Sequence, residues 1–230
     1  VEAGECFGFI APNGAGKTTT IKILATLLKP SSGEARVCGF TVGWQNTHIR
    51  PLIGYVPDFL GAYDDMLVRE YLQFFASCYG ITGSRRTQVV DDALSLTDLG
   101  GKAEAPISGL SRGMSQRLAV ARVLLHDPEV LLLDEPASGL DPRARVEMRE
   151  LLRTLRDLGK TILISSHILH ELAELCTSVG ILERGKLVFA GSVQSALDAA
   201  RSGTRLECEL DGGMDAALGL LGSLDGVRSV

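Results

Sequence analysis

The sequence contains no hydrophobic run long enough to cross a lipid bilayer. One apolar stretch, Val130–Leu133, ends abruptly at Asp134, whereas a membrane-spanning helix needs about 20 consecutive apolar residues. We therefore expect that any role at a membrane is exercised through a partner protein.

Basic charge and paired cysteines are also scarce. Lys and Arg number 23 against 28 Asp and Glu, giving a net charge of -5, which argues against broad nucleic-acid binding because such proteins present a basic face. The five cysteines are odd in number and lack C-x-x-C spacing. Neither a disulfide framework nor a zinc site is predicted, and a reducing, cytosolic compartment is favoured.

What the chain does contain, close to its first residue, is a phosphate-binding motif. An apolar run, Cys6–Ile10, is followed by the segment Ala11-Pro12-Asn13-Gly14-Ala15-Gly16-Lys17-Thr18 and then by a helical pattern over Thr19–Ala25. Strand, glycine-rich loop and helix in this order are the context that a P-loop requires. The glycines let backbone N–H groups surround an anion, and the helix N-terminus adds partial positive charge. We predict a nucleotide site here.

The side chains of this loop have separate predicted roles. Lys17 supplies a full charge for the β- and γ-phosphates, and the Thr18 hydroxyl is placed to bind Mg²⁺. The residues predicted to contact the nucleotide are Asn13, Gly14, Ala15, Gly16, Lys17, Thr18 and Thr19.

The rest of the chain alternates between strand and helix patterns. Strands are predicted over Glu34–Cys38, Leu52–Val56, Val130–Leu133, Thr161–Ser165, Ser178–Leu182, Lys186–Ala190 and Leu206–Leu210. Helices are predicted over Val68–Tyr79, Val89–Leu96, Ser111–Leu124, Pro142–Leu158 and Ile168–Cys176. The predicted fold class is α/β, with a mainly parallel sheet flanked by helices and a helical subdomain inserted at about residues 60–127.

Two acidic residues end the most apolar of these strands. Asp134 and Glu135 directly follow Val130–Leu133, and a buried strand accommodates carboxylates only at its tip, where a cation or solvent meets them. Asp134 is suited to hold Mg²⁺, and Glu135 to polarise a water for attack on the γ-phosphate.

A histidine and a capped helix complete the set of candidate residues. His167 follows the strand that begins at Thr161, where it can hydrogen-bond the γ-phosphate and the attacking water. Its neighbours match no established metal-site spacing, so a metal site is not predicted there. Ser111 is a good N-cap, and with Gly113 it opens a second helix start suited to an anion.

Together these motifs resemble the ATP-binding-cassette (ABC) ATPases, and most closely the nucleotide-binding subunits of ABC exporters. The resemblance covers about residues 1–200 and rests on five ordered segments: Ala11–Thr18, Leu110–Arg117, Leu133–Pro136, Ser138–Asp141 and His167. It implies a P-loop NTPase fold that uses ATP and Mg²⁺. Residues 201–230 lie beyond the resemblance, and we expect them to begin an accessory segment.

The resemblance also implies roles for residues and partners. Leu110–Met114 corresponds to the signature sequence, and Ser138–Asp141 to the D-loop. Two subunits would pair head to tail, so that Ser111 and Gly113 of one approach the ATP held by the other. Asp141, in the D-loop, would also be a nucleotide-binding residue. Glu135, His167 and Lys17 would be catalytic. The pair would drive a membrane-embedded permease from the inner face of the cell membrane, and no nucleic acid is expected.

Several positions depart from the family pattern. Ala11 replaces the first P-loop glycine, which costs about 1 kcal/mol or more if a positive φ is needed there. The signature reads Leu-Ser-Arg-Gly-Met where Leu-Ser-Gly-Gly-Gln is common.

Asp58 occupies the position of the Q-loop glutamine that contacts Mg²⁺, so it is a candidate metal ligand. The family's adenine-stacking aromatic lies upstream of the P-loop, which favours an N-terminal segment preceding Val1.

Two alternative functions remain open from the sequence. One is a soluble ABC protein acting on ribosomes or DNA, although the chain has a single P-loop and no sustained heptad pattern. The other is a regulatory cassette that binds ATP with little turnover, as Ala11 and Asp58 would allow.

Overall fold

A computed structural model of the protein describes residues 1–58, 61, 65–201, 217, 218, 220 and 221. The chain divides into two compact units, Val1–Leu197 and Asp198–Val230. The predicted strand Leu206–Leu210 lies outside the described residues, and the proposed boundary near residue 200 stays a prediction.

Strands and helices alternate along residues 1–201. The strands are β1 (Cys6–Ile10), β2 (Arg36–Val37), β3 (Phe40–Thr41), β4 (Ile53–Val56), β5 (Val130–Leu133), β6 (Thr161–Ser166), β7 (Ser178–Glu183) and β8 (Lys186–Ser192). The helices are α1 (Lys17–Leu24), α2 (Asn46–Ile49), α3 (Val68–Cys78), α4 (Gly83–Leu96), α5 (Arg112–Leu124), α6 (Pro142–Asp157), α7 (Leu169–Ala173) and α8 (Val193–Arg201).

A six-stranded sheet forms the centre of the first unit, in the order β4-β5-β6-β1-β7-β8. Every pairing is parallel except that of β7 with β8, which is antiparallel. Buried parallel strands are expected to be apolar on both faces. The run Val130–Leu133 fits this rule, since Leu131, Leu132 and Leu133 are all buried. The predicted α/β fold class is confirmed.

Helices α3, α4 and α5 lie between β4 and β5 in the chain, where the sequence predicts an inserted helical segment. These three helices share one hydrophobic core with the sheet and with α6. Each of the four helices contributes a fully buried side chain to this core, namely Tyr71, Leu94, Leu118 and Leu152 in chain order. The apolar side of each helix therefore faces this common core, and the three- and four-residue spacing of the sequence follows from it.

Local details differ from the sequence predictions at element ends. Helix α4 begins at Gly83, six residues before the predicted Val89, because its first turns are polar and carry no hydrophobic period. Helix α7 ends at Ala173 and not at Cys176. The short elements β3 and α2 were not predicted, since two- and four-residue elements give no periodic signal. Helix α8 was also not predicted, although its nine residues have the apolar spacing of an amphipathic helix.

His126, which follows α5, packs under the edge strand of the sheet. Its Nε2 is 3.0 Å from the Ile53 carbonyl oxygen, and its ring lies 4.2 Å from that of Tyr79. Among the described residues its buried Nδ1 has no hydrogen-bond partner. Burial lowers the pKa of His126 below its usual value of 6.5, because protonation would place a charge and an unpaired N–H inside the fold.

This lowered pKa predicts a pH-dependent stability. At pH values between the pKa of His126 in the folded state and 6.5, the unfolded chain binds more protons than the folded chain. The free energy of unfolding therefore falls as the pH drops through this window, and it keeps its full value above pH 6.5. Replacing His126 with Gln should flatten the slope of stability against pH below 6.5, measured by urea unfolding. His48, exposed in α2, is the matched control, and a His126→Gln slope equal to that of His48→Gln would contradict the assignment.

Candidate functional site

The candidate residues follow three strands that are neighbours in the sheet. The P-loop follows β1, Asp134 and Glu135 follow β5, and His167 follows β6, with β6 lying between the other two. The register pairs Ile10 with Ser166 and Leu133 with Ile164. Because all three strands are parallel, their carboxyl ends meet at one edge of the sheet, which is where open α/β folds bind ligands.

The P-loop takes a conformation that its glycines permit. Gly14 and Gly16 have φ values of 79° and 107°, in the left-handed region that side chains other than glycine rarely adopt. Gly16 is the N-cap of α1, and Lys17 is the first residue of the helix. The amide groups of the first helical turn therefore face the loop, where partial positive charge favours an anion.

Ala11 does not strain this loop. It does not adopt a positive φ; its N–H donates to the Ser166 carbonyl oxygen at 3.3 Å, and this bond continues the β1–β6 pairing. Its side chain is buried in a small apolar cluster with Phe9, Ala15 and Leu182. Alanine would destabilise the loop here only if a positive φ were required, and Ala11 does not have one.

Lys17 lies at the floor of the loop and is only 5% exposed. Its Nζ donates to the Ala11 carbonyl oxygen at 2.5 Å and lies 3.0 Å from Glu135 Oε1. A buried ammonium needs paired oxygen atoms, because an isolated charge is strongly disfavoured away from water. The contact with Glu135 joins the P-loop to the end of β5.

Glu135 contacts both other strand ends. Its Oε1 faces Lys17, and its Oε2 lies 3.0 Å from His167 Nδ1. The backbone of Glu135 has a φ of 49°, an uncommon value for a residue other than glycine, of the kind found at functional sites. This turn directly after β5 places the carboxylate between the lysine and the histidine.

Asp134 lies behind Glu135 and is 3% exposed. Ser165, in β6, donates its hydroxyl proton to Asp134 Oδ1 at 2.8 Å, and the same Oγ accepts the Glu135 N–H at 3.0 Å. One buried hydroxyl thus fixes the side chain of one acid and the backbone of the other. Ser165 was not among the predicted site residues, although a polar residue near the tip of a buried strand is the signal that identified Asp134.

A cleft of about 200 Å³ lies over the P-loop. Its lining consists of Pro12, Asn13, Gly14, Gly16, Lys17, Thr18, Thr19 and Glu135. Six of the residues predicted to contact the nucleotide therefore face one space, while Ala15 is buried beneath it. The cleft combines a helix N-terminus, a lysine and a carboxylate.

The oxygen donors here suit magnesium. Thr18 presents a hydroxyl in the cleft, and Asp134 presents a carboxylate at the end of β5, two strands away. Hard oxygen ligands are those that Mg²⁺ prefers. Asp58 does not line this cleft. Its Oδ1 is instead 4.0 Å from Arg112 Nη2, so its predicted role as a metal ligand stays a prediction.

The remaining predicted residues, Ser111, Gly113 and Asp141, lie at two other helix N-termini. Ser111 Oγ accepts the Met114 N–H at 3.3 Å and caps α5, as the sequence predicts. Asp141 Oδ1 accepts the Ala144 N–H at 2.9 Å and caps α6. None of these three residues lines the cleft over the P-loop of the same chain.

No helix among the described residues has the length and apolar content needed to traverse a bilayer.

Comparison with known proteins identifies relatives over most of the chain. The family described as ABC transporter matches residues 1–138. The Nod factor export ATP-binding protein I of Burkholderia pseudomallei is 42% identical over 199 residues, covering 86% of this chain and 66% of that protein. The protein of the same name from Ralstonia nicotianae is 40% identical over 191 residues, covering 83% of this chain and 60% of the relative. The chain thus spans just under two thirds of the length of these relatives.

Solved structures share the fold. CbiO1 from Clostridium perfringens, part of the ABC transporter complex CbiONQ, superposes with a TM-score of 0.79 at 29% identity, over 87% of this chain and 82% of that one. An ATP-binding subunit of an ABC transporter gives a TM-score of 0.74 at 26% identity, over 97% and 90% of the two chains. The dimeric ATP-binding cassette MJ0796, bound to ADP and Pi, gives 0.75 at 24% identity, over 84% and 87%, a likeness of fold alone.

The bridging role of Ser165 predicts a measurable loss of stability. Removing its hydroxyl in Ser165→Ala takes the partner from the partly buried Glu135 N–H and from the buried Asp134 carboxylate, which should lower the free energy of unfolding by about 1–3 kcal/mol. Urea unfolding measures this. The control is Ser95→Ala, at an exposed serine of α4, where a change within about 0.5 kcal/mol is expected. Equal effects at the two sites would contradict the bridge.

Proposed function

Because the chain belongs to the ABC transporter family, we propose that it binds and hydrolyses ATP as the ATP-binding subunit of a membrane exporter. The observation that supports this most directly is the contact of one carboxylate, Glu135, with both Lys17 and His167 beside a cleft lined by the P-loop. Export is favoured by the names of the relatives, which are export ATP-binding proteins.

The triphosphate would be held mainly by the P-loop. Backbone amides of Gly14, Gly16 and the first turn of α1 would donate to phosphate oxygens, and phosphate oxygens would compete with Glu135 for the Lys17 ammonium. Magnesium, held by Thr18 and Asp134, would neutralise charge that develops on the phosphates. Release of Glu135 Oε1 from Lys17 would leave this oxygen available to accept a proton from the attacking water.

His167 would orient that base. Its Nδ1 is 3.0 Å from Glu135 Oε2, so one carboxylate oxygen is held while the other faces the water. Hydrogen bonding of this kind fixes the geometry of a general base and contributes to catalysis by positioning. Each of the three strand ends then has its own role, since one binds phosphate, one activates water and one holds the base.

A partner subunit would complete the site. Ser111 and Gly113 start a capped helix outside the cleft of their own chain, and in a head-to-tail pair this helix start would face the phosphates held by the other copy. A membrane-embedded permease would use the resulting movement, and the protein would act at the inner face of the cell membrane.

No feature of the described residues favours a ribosomal role, and Ala11 gives no support to a regulatory cassette without turnover.

The role of Glu135 is tested by Glu135→Gln, which keeps the shape and removes the base. Turnover of ATP should fall about 100-fold or more, as loss of a general base does, while ATP binding persists because the P-loop is unchanged. The measurements are phosphate release and equilibrium binding of a fluorescent ATP analogue. Glu34→Gln, at an exposed surface glutamate, is the control, and full turnover in Glu135→Gln would refute the mechanism.

The paired arrangement predicts dimerisation that depends on ATP. With hydrolysis blocked by Glu135→Gln, addition of ATP and Mg²⁺ should convert monomer to dimer in sedimentation velocity. Adding Ser111→Arg should prevent dimer formation but leave ATP binding to the monomer unchanged, because Ser111 lies outside the cleft of its own chain. Ser95→Arg, at an exposed serine of α4, serves as the matched control. Unimpaired dimerisation of the Ser111→Arg protein would rule out this interface.

A further inference from the structure

Two residues that depart from the family pattern meet each other in the fold. Asp58 lies just after β4, and Arg112 is the first residue of α5. Asp58 Oδ1 and Arg112 Nη2 are 4.0 Å apart, and the side chains are 57% and 61% exposed. Opposite charges at this distance attract each other, although water weakens the attraction while both remain exposed.

The guanidinium of Arg112 also covers the D-loop. A Cβ built on Gly139 would lie 2.7 Å from Arg112 Cζ and 2.9 Å from Nη1, closer than such atoms can approach. Gly139 itself has a φ of 65°, a conformation that favours glycine. The space beside Gly139 is therefore filled by the side chain of Arg112.

The next residue, Gly113, brings the start of α5 close to the helix that follows the D-loop. A Cβ on Gly113 would lie 2.7 Å from Ala144 Cβ, so the start of α5 is in close contact with the first turn of α6. Arg112 thus lies against the D-loop, and Gly113 lies against the helix that follows it. Asp58 adds the end of β4 to this cluster through Arg112.

We propose that Arg112 is a positioning residue which, through Asp58, sets the signature segment and the D-loop relative to the end of β4. The proposal rests on the proposed function, because the reaction that it tunes is ATP hydrolysis. A pair this exposed contributes little to the stability of the monomer, but its attraction strengthens when a second subunit excludes water from it. The pair should therefore change the rate of ATP hydrolysis by the closed dimer more than the stability of the monomer.

A charge swap tests the coupling. Asp58→Arg and Arg112→Asp should each lower kcat about 10-fold, and the double variant should recover to within about threefold of the parent, as coupled neighbours do. KM for ATP and the melting temperature should stay close to the parent values. Swapping Glu34 and Arg36, an exposed ion pair of similar accessibility, is the control and should leave kcat unchanged.

The swap also separates this pairing from a magnesium role. The double variant carries no carboxylate at position 58, so recovery of kcat supports the pair and excludes Asp58 as an essential metal ligand. A double variant no better than the worse single variant would overturn the proposal.

A second measurement does not need turnover. In Arg112→Lys, a zero-length carbodiimide should couple the introduced amine to Asp58, giving a cross-linked peptide that mass spectrometry detects. The control is Arg112→Lys combined with Asp58→Asn, which has no carboxylate at position 58 and must not form the cross-link. Absence of the cross-link in Arg112→Lys would show that the two positions do not meet. A parent protein without ATPase activity, whose Arg112→Lys variant still forms the cross-link, would instead count against the proposed function alone.

Discussion

The site depends on the adjacency of three parallel strands. With β6 lying between β5 and β1, the segments that follow them lie at one edge of the sheet, and the Glu135 carboxylate reaches Lys17 with one oxygen and His167 with the other. An antiparallel neighbour would place one of these groups at the opposite edge, more than a strand length away. The chemistry proposed for the cleft follows from this direction of the strands.

Burial gives the contacts at this edge their strength. Lys17 and Asp134 are almost fully buried, and charges removed from water must be paired or hydrogen-bonded to be tolerated. Lys17 is paired by Glu135 and by a backbone carbonyl, and Asp134 is held by Ser165. The polar contacts that compensate these buried charges also fix the orientation of the acids. The same hydrogen bonds therefore contribute both to stability and to the preorganisation of the site.

Local patterns in the sequence were enough to predict most elements and the types of residue at their ends. The glycines of the P-loop, the acids after an apolar strand and the N-cap at Ser111 are encoded within a few residues, because backbone freedom, capping and hydrophobic period act over short range. These signals correctly predicted β5, α5, α6 and the α/β class, but not the start of α4 or the short element α2.

Which of these ends meet is set by the packing of the folded chain. The order β5-β6-β1 comes from contacts between segments far apart in the sequence, and no local pattern records it. For the same reason the bridge from Ser165 to Asp134, across 31 positions of sequence, and the meeting of Asp58 with Arg112 were not predictable. Side-chain partners depend on the placement of whole strands and helices, and that placement is a property of the assembled core.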